Sequence, residues 1–356
     1  MTENTSSIAR FLVVFAAFVI VVSGLKMAGP LLVPFLLAVF IAMIVSPVLA
    51  WLKSFRIPSG VAIVLVVMLI LLVGLILAAV IGSSLTDFRQ DIPIYSDKLS
   101  AMSTGVQQWL MVRGVEIDAQ QWQSSFDPGA VMKLVGSTLA SFGNVMTNAV
   151  MILLTVIFIL AENMGFGEKL RLARGNDVSQ AWLAKFSDSV HSYLAIKAAI
   201  SLLTGLIIFI WLWILGVDYA ILWGLLAFLL NFIPTVGSFI AAVPAVLLAL
   251  VQLGVLHAGL TLGGFVVVNL VMGNAIEPRW MGRGLNLSPL VVFVSLVLWG
   301  WVLGPVGMLL SIPLTIMIKI ALENQPESRW ISIMLGGAPE PEPDLELEAP
   351  VVETES

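Results

Sequence analysis

Apolar residues run along this chain in long blocks, and the charged residues stand between the blocks. The uncharged runs are 11–25, 27–52, 57–86, 134–161, 198–217, 219–276 and 284–318. A helix that crosses a bilayer needs about 20 apolar residues, so most of these runs are long enough to span. The runs are continuous and lack the in–out alternation of barrel strands. The pattern therefore predicts an all-α, polytopic helical membrane protein. The first run is short enough to resemble the apolar part of a signal peptide. No A-x-A cleavage pattern follows it and Lys26 interrupts only briefly, so a retained first helix is expected. The expected divisions are transmembrane helices 1–3 over 8–82, an extramembrane helical domain over 83–140 and a fourth span over 141–162. A cytoplasmic amphipathic linker helix over 163–197, a core of two span-plus-broken-helix units over 198–320 and a cytoplasmic, acidic tail over 321–356 complete them.

Two polar stretches carry a different period. Leu85, Phe88, Ile92, Tyr95, Leu99, Met102, Val106 and Trp109 follow 3–4 spacing, an a/d seam of a helix that leaves the membrane and packs on another helix. Pro93 is expected to start or kink it. The seam's partner is either the rest of the same subunit or another subunit. Asp127-Pro128 reads as an N-cap and first residue of the helix feeding the next span. Val178, Trp182, Phe186, Val190 and Tyr193 form a stripe suited to a helix lying on the membrane surface. The last 20 or so residues are acidic, Pro-rich and aperiodic, a disordered composition.

The most informative block is 198–320. Residues 219–250 would be about 48 Å long as one straight helix, beyond a core of about 30 Å. The run is broken midway at Asn231-Phe232-Ile233-Pro234-Thr235-Val236-Gly237. Residues 286–319 are broken in the same way at Gly304-Pro305-Val306-Gly307, and each break is followed by a further proline, Pro244 or Pro313. Broken backbone at membrane depth is tolerated only inside protein or along a polar cavity. The order is thus span, broken segment, span, broken segment. If the broken segments are re-entrant hairpins with arms too short to cross, each unit crosses once and the two units are inverted, the arrangement of secondary transporters. If they are bent full spans, the chain crosses eight times.

Composition and charge sharpen this picture. Hydrophobic residues make up 59% of the 356 positions and charged residues 11%, against roughly a quarter in soluble domains. The net charge of −5 comes largely from seven acids in the tail, which leaves 17 bases against 15 acids elsewhere. That balance excludes a strongly basic nucleic-acid binder. With no Cys and only His191 and His257, thiolate and histidine metal sites have few ligands. Walker A, H-E-x-x-H and G-x-S-x-G signatures are lacking, so the chain reads as a non-enzyme without metal or cofactor. Lys53 and Arg56 flank one loop, and Lys169, Arg171, Arg174 and Lys185 populate the second polar stretch. The positive-inside bias places these in the cytoplasm, with 83–140 outside and both termini inside. Hairpins, rather than full spans, also place Arg279 and Arg283 inside.

Candidate pathway residues follow from polarity in this apolar half. Glu277 is the one acid between Asp218 and Glu323. A carboxylate near the bilayer centre costs about 2.5–3.5 kcal/mol and is usually paired or functional. It reads either as a coupling carboxylate for a proton or sodium ion, or as an interfacial salt bridge to Arg279 or Arg283. Asn231, Asn269 and Asn274 offer donor–acceptor groups to a hydroxyl-rich solute, or hydrogen-bond between helices. Pro234, Gly237, Pro305 and Gly307 shape the two breaks. Gly259-x-x-x-Gly263 and Gly300-x-x-x-Gly304 read as close helix packing. Trp51, Trp211, Trp213 and Trp280 fit interfacial belts.

Three stretches carry a family resemblance. They are Asn231-Phe-Ile-Pro-Thr-Val-Gly-Ser-Phe-Ile-Ala-Ala-Val-Pro244, Glu277-Pro-Arg-Trp-Met-Gly-Arg-Gly-Leu-Asn-Leu-Ser-Pro-Leu290 and Gly304-Pro-Val-Gly-Met-Leu-Leu-Ser-Ile-Pro-Leu-Thr315. Together they resemble the signature stretches of the autoinducer-2 exporter family, over nearly the whole chain except the acidic tail. The resemblance implies a multi-pass protein of the bacterial inner membrane that exports a small polar signal such as autoinducer-2. It also implies a homo-oligomer, with a pentamer as the expected state. Some relatives in that family are described as sodium(lithium)/proton antiporters, which keeps an antiporter using Glu277 as the alternative. A non-transporting oligomeric scaffold built on the 83–110 seam is the alternative of another class. A charged, Pro-rich tail buries nothing, so deletion of 337–356 is expected to leave folding and transport intact, as read by detergent gel filtration and a vesicle uptake assay.

Overall fold

The computed structural model describes residues 7–114, 149–174, 179–234, 236–281, 287–323, 325 and 327–337. The acidic tail, Asp127-Pro128, Val178 and Arg283 lie outside them. Every regular element among the described residues is helical. These are α1 (Ser7–Met27), α2 (Gly29–Ser54), α3 (Ser59–Val112), α4 (Ala149–Arg174), α5 (Ser179–Leu215), α6 (Ala220–Leu230), α7 (Val236–Leu253), α8 (Val255–Val271), α9 (Glu277–Met281), α10 (Pro289–Glu323) and α11 (Arg329–Leu335). Six of the helices are long and apolar enough to cross a membrane. This is the all-α polytopic architecture that the uncharged runs predict.

Two expected boundaries are not breaks in the backbone. α3 has 54 residues and runs through Pro93 without interruption; at 1.5 Å per residue it is about 80 Å long, well beyond the bilayer core. The first polar stretch therefore begins as an extension of α3. Similarly, α5 joins the polar stretch to the next span in one helix of 37 residues. Val190 and Tyr193, expected on a surface-lying stripe, are instead buried in a core cluster.

The first half of the seam on α3 packs within the chain. Phe88, Tyr95 and Leu99 are buried in one cluster with Ile208 and Leu212 of α5, Trp223 and Leu226 of α6 and Leu248 of α7; Leu85 and Ile92 lie against it. Further along, Val106 is 49% and Trp109 54% exposed. Polar bonds flank the buried half. The Tyr95 hydroxyl donates to Asp218 Oδ2 at 2.7 Å, and the Tyr219 hydroxyl donates to Asp91 Oδ2 at 2.5 Å. Burial, then the hydrogen bond that the hydroxyl donates to the Asp91 carboxylate, pushes the Tyr219 phenol above its ordinary pKa.

The broken segments double back. α6 and α7 pack against one another in a shared core, and their far ends meet. The Asp218 amide donates to Gln252 Oε1 at 2.9 Å, and Gln252 Nε2 donates to the Gly216 carbonyl at 3.1 Å. A segment whose ends are hydrogen-bonded returns to the level at which it started. Its arms are unequal, 11 and 18 residues, about 16 and 27 Å, so the second arm is longer than the sequence break suggests. In α10 the helical path is interrupted at Gly304, with φ 68° and ψ −152°. Trp299 Nε1 donates to Thr315 Oγ1 at 3.2 Å across 16 residues. Along a straight helix those residues would stand about 24 Å apart, so arms 289–303 and 305–323 lie side by side.

The glycines at the two bends have matching roles. A Cβ on Gly237 would stand 1.8 Å from the Leu230 carbonyl oxygen, and one on Gly307 would stand 2.0 Å from that of Trp299. Each glycine thus lets the returning arm touch the backbone of the incoming arm. The G-x-x-x-G readings fare differently. Gly300 packs under Met308 of the returning arm, but a Cβ on Gly259 or Gly263 would meet nothing within 4 Å among the described residues. Close packing of α8 runs instead through Gly264, which lies under Trp211. The Trp211 indole donates to the Leu260 carbonyl at 3.1 Å, so Trp211 joins α5 to α8. Trp51, Trp213 and Trp280 are exposed, as an interfacial belt requires.

Overpacking costs about 1–3 kcal/mol, so Gly237→Ala and Gly307→Ala are each expected to destabilise by at least that much. Gly259→Ala is expected to be neutral or stabilising by up to about 1 kcal/mol. Thermal unfolding of the three variants in one detergent checks the contrast.

Candidate functional site

The site grows from one face of α5. Tyr193, Lys197, Ser201 and Thr204 recur at helical spacing, and all four are buried. Such a lane of polar groups inside an apolar helix is costly unless each group finds a partner. Lys197 has one: its Nζ lies 2.7 Å from Glu277 Oε1, with the two side chains 5% and 22% exposed. One turn further along α5, Ser201 Oγ accepts a hydrogen bond from Asn231 Nδ2 at 3.0 Å. Thr204 Oγ1 is buried without a partner among the described residues.

Glu277 reaches Lys197 through a local irregularity. α8 ends at Val271, and Met272–Ile276 form a π-helical turn before α9 begins. The Glu277 amide bonds the Met272 carbonyl, five residues back. Pro278 follows directly and has no N–H to give. The wider turn thus stands where the regular ladder loses a donor. Single π turns of this kind recur at functional positions in helices.

Asn231 comes from the bend between α6 and α7. The bend is closed by its own backbone, with the Ile233 amide bonding Leu230 O at 2.8 Å and the Gly237 amide bonding Ile233 O at 3.3 Å. Pro234, half-buried, sits at the turn and Gly237 is buried behind it. Next to Asn231, Phe232 is buried in a cluster with Tyr193 and Leu194 of α5 and with Leu310, Ile312 and Ile316 of the returning arm of α10. Phe40 of α2 meets Phe232 edge to face at 5.6 Å. Val306, beside the second bend, lies against the same cluster. The first bend therefore shares a core with the returning arm of α10.

The candidate residues divide accordingly. Asn231 and Glu277 come together on the α5 lane. Pro234 and Gly237 build the first bend, and Pro305 and Gly307 the second. Asn269 is half-buried on α8, and Asn274 is exposed in the π turn; neither joins the lane. Arg279 is exposed on α9 and is not the partner of Glu277: the salt bridge goes to Lys197, 80 residues earlier. Lys197, Ser201, Thr204 and Tyr193 were missed by the sequence reading, because Lys197 looks like the last charge of a polar stretch. The signal was the 197, 201, 204 spacing, which carries the 190, 193 stripe into the apolar run.

Among the described residues, apolar helices long enough to cross a membrane, two doubled-back segments and a part-buried ion pair are those of an all-α polytopic membrane protein. The sequence model described as AI-2E family transporter matches residues 11–327, and the chain belongs to that family. It is 39% identical over 327 residues to the AI-2 transport protein TqsA of Escherichia coli K12, covering 92% of this chain and 95% of the relative. A putative transport protein of Haemophilus influenzae is 40% identical over 346 residues, covering 94% and 98%. The putative transport protein YhhT of Escherichia coli K12 is 35% identical over 330 residues, covering 92% and 94%.

Removing one member of a buried pair strands the other charge at a cost of about 3–5 kcal/mol, whereas replacing both by apolar groups is often neutral. Lys197 is the buried partner and Glu277 is 22% exposed, so Glu277→Leu, which strands the buried ammonium, is expected to lower the thermal midpoint in detergent markedly and Lys197→Met to lower it less. Lys197→Met combined with Glu277→Leu is expected to restore most of it.

Proposed function

We propose that this protein is a secondary transporter of the bacterial inner membrane that exports a small polar solute, with autoinducer-2 as the first candidate. The observation that carries this reading is a pair of doubled-back segments, the first bend sharing a core with the returning arm of the second through Phe232, beside the Lys197–Glu277 and Ser201–Asn231 pairs. In this reading both segments are re-entrant hairpins, one from each side of the membrane, and the α5–α7 and α8–α10 units are inverted repeats. The positive-inside bias puts both termini, the 53–56 loop and the 277–285 region in the cytoplasm. The extension of α3 and the 216–219 and 251–257 loops are then outside. The printed name of TqsA supports the choice of solute. Asn231, Ser201 and Thr204 supply neutral hydrogen-bonding groups for its hydroxyls, and Glu277 with Lys197 supplies a balanced charge that a coupling proton or sodium ion would disturb. We also read the protein as a homo-oligomer, the exposed end of the α3 seam being its candidate contact.

Two measurements test the proposal. Full-length protein in proteoliposomes should move autoinducer-2 faster than empty vesicles, and Asn231→Ala should slow that movement at least tenfold while the protein stays folded. Equal rates with and without protein would remove autoinducer-2 as the solute. For topology, the chain lacks cysteine, so single cysteines at Leu253 and Gly282 report cleanly. An impermeant thiol reagent applied from outside is expected to label position 253 and spare 282. The reverse pattern would replace the hairpins with full spans.

A further inference from the structure

The uncharged run of α10 ends at Lys319, and a short connection leads from the returning arm to α11. α11 is bonded at both of its ends. Ser328 Oγ donates to the Leu322 carbonyl at 3.0 Å, which ties the start of α11 to the end of the returning arm. The Ser288 amide donates to the Leu335 carbonyl at 3.1 Å, which ties the end of α11 to the start of the incoming arm. α11 has 7 residues, a length of about 10 Å, and the axes of packed helices stand about 8–10 Å apart. The helix is thus just long enough to reach from one arm to the other. It lies across the opening of the α10 segment, at a steep angle to the arms and close to the plane of the membrane.

Around α11 the residues divide by face. Ser332 is buried, Ile331 and Leu335 are half-buried, and the helix packs on α10. Trp330, Ile333 and Met334 follow i, i+3, i+4 spacing, which brings them to one side, and each is at least 65% exposed. Arg329 is exposed beside them. That side stands at the end of an exposed stripe on the incoming arm, formed by Leu290, Phe293, Val294, Val297 and Trp301. The stripe faces lipid in the hairpin reading, and it begins two residues from the Ser288–Leu335 bond. Charge returns at the same level, with Lys319, Glu323, Glu327 and Arg329.

A tryptophan and two aliphatic side chains on one face, set among charges where a span ends, have the composition of a helix lying in the headgroup boundary. The tail that follows is a poor cover for this face. It carries seven acids and no Lys or Arg, a composition that stays in water.

We propose that α11 is an in-plane anchor that seats Trp330, Ile333 and Met334 between the headgroups and the acyl chains, on the side of the membrane where the α10 segment opens. The occupant of the exposed face is lipid, and Arg329 stands where it meets headgroup phosphate. The anchor sets the depth of the opening, because the two ends of α11 are bonded to the two arms. This inference rests on the hairpin reading of the proposed function, which puts that opening at a membrane surface.

Depth-dependent quenching on the full-length protein in lipid nanodiscs tests the anchor without a known solute. The chain lacks cysteine, so Ile333→Cys and Met334→Cys each carry a single NBD fluorophore. Lys98→Cys, exposed on the α3 extension, is the reference in water. Nitroxide on the lipid headgroup is expected to quench labels at 333 and 334 at least twice as strongly as nitroxide near the acyl end. Iodide in the buffer is expected to quench them at least threefold less than the label at 98. Labels quenched by iodide as at 98, and untouched by lipid nitroxide, would place the face in water and overturn the proposal. Stronger quenching from the acyl end would place it in the membrane core and overturn the boundary position. Labels reached by neither quencher would place it under protein and overturn the proposal as well; repeating the measurement after deletion of 337–356 separates the tail from a second copy. Failure of the hairpin reading shows separately, as labelling at 282 and protection at 253.

Discussion

Lipid offers no hydrogen bonds to a peptide group, and the architecture of 198–323 follows from that constraint. Each interruption at Asn231–Val236 and at Gly304 frees backbone groups that a regular helix would satisfy. The chain answers by turning back, so that the interrupted stretch faces protein. The Leu230 and Ile233 carbonyls accept from amides of the bend itself, and the Asn231 side chain is taken up by Ser201. Glycine is required at 237 and 307 because the returning arm meets a main-chain oxygen there, at a distance that leaves no room for a Cβ. The bends are thus conditions for keeping broken helices inside an apolar body. The polar lane on α5 is the surface against which the first bend is satisfied.

Local features of this fold were legible in the sequence, and long-range pairings were not. The uncharged runs, the two breaks and the matching Pro and Gly positions are written in short windows, and the structure places interruptions at both. Glu277 was legible as an acid that needs a partner, but its neighbours Arg279 and Arg283 were the natural candidates. The π turn rotates Glu277 towards α5, and no window of sequence contains both Glu277 and Lys197. Trp211 looked like an interfacial anchor because it closes an apolar run. Only the crossing of α5 with α8, at Gly264, shows that its indole serves a carbonyl. The G-x-x-x-G pattern at 259–263 names small residues correctly but not the face that packs.

The seam on α3 shows how one periodic pattern can serve two surroundings. Its spacing is uniform from Leu85 to Trp109, so periodicity alone offered no division between packing inside the subunit and packing between subunits. The division lies where α3 outruns the hairpin. Up to Leu99 there is a partner from α5, α6 and α7. At Val106 and Trp109 the same stripe is exposed, with the Arg113 guanidinium 3.9 Å over the Trp109 ring. Apolar period reports that a face is to be covered. Helix length and the position of neighbours decide by what.

The two doubled-back segments share their bend chemistry but differ in how they are attached. The α6–α7 segment packs on α3 and α5 through apolar residues and a close backbone approach of Gly224 to Gly205, and adds polar bonds at both ends, to Ser201 at the bend and to α3 at the opening. The α10 segment is tied along its length by apolar packing: Leu310, Ile312, Ile316 and Ile320 are buried against α2 and α5. Across its arms runs the Trp299–Thr315 bond, and the Lys26 ammonium stands 3.9 Å from the Trp301 ring near its bend. Its opening is closed by chain, since the Ser288 amide bonds the Leu335 carbonyl at the end of α11. Polar bonds at an opening can be exchanged for water one at a time, whereas a continuous apolar face must separate as a whole. A common motif is therefore built into one segment that adds polar bonds at both ends to its apolar contacts, and another that is held by apolar packing and by chain closure at its opening.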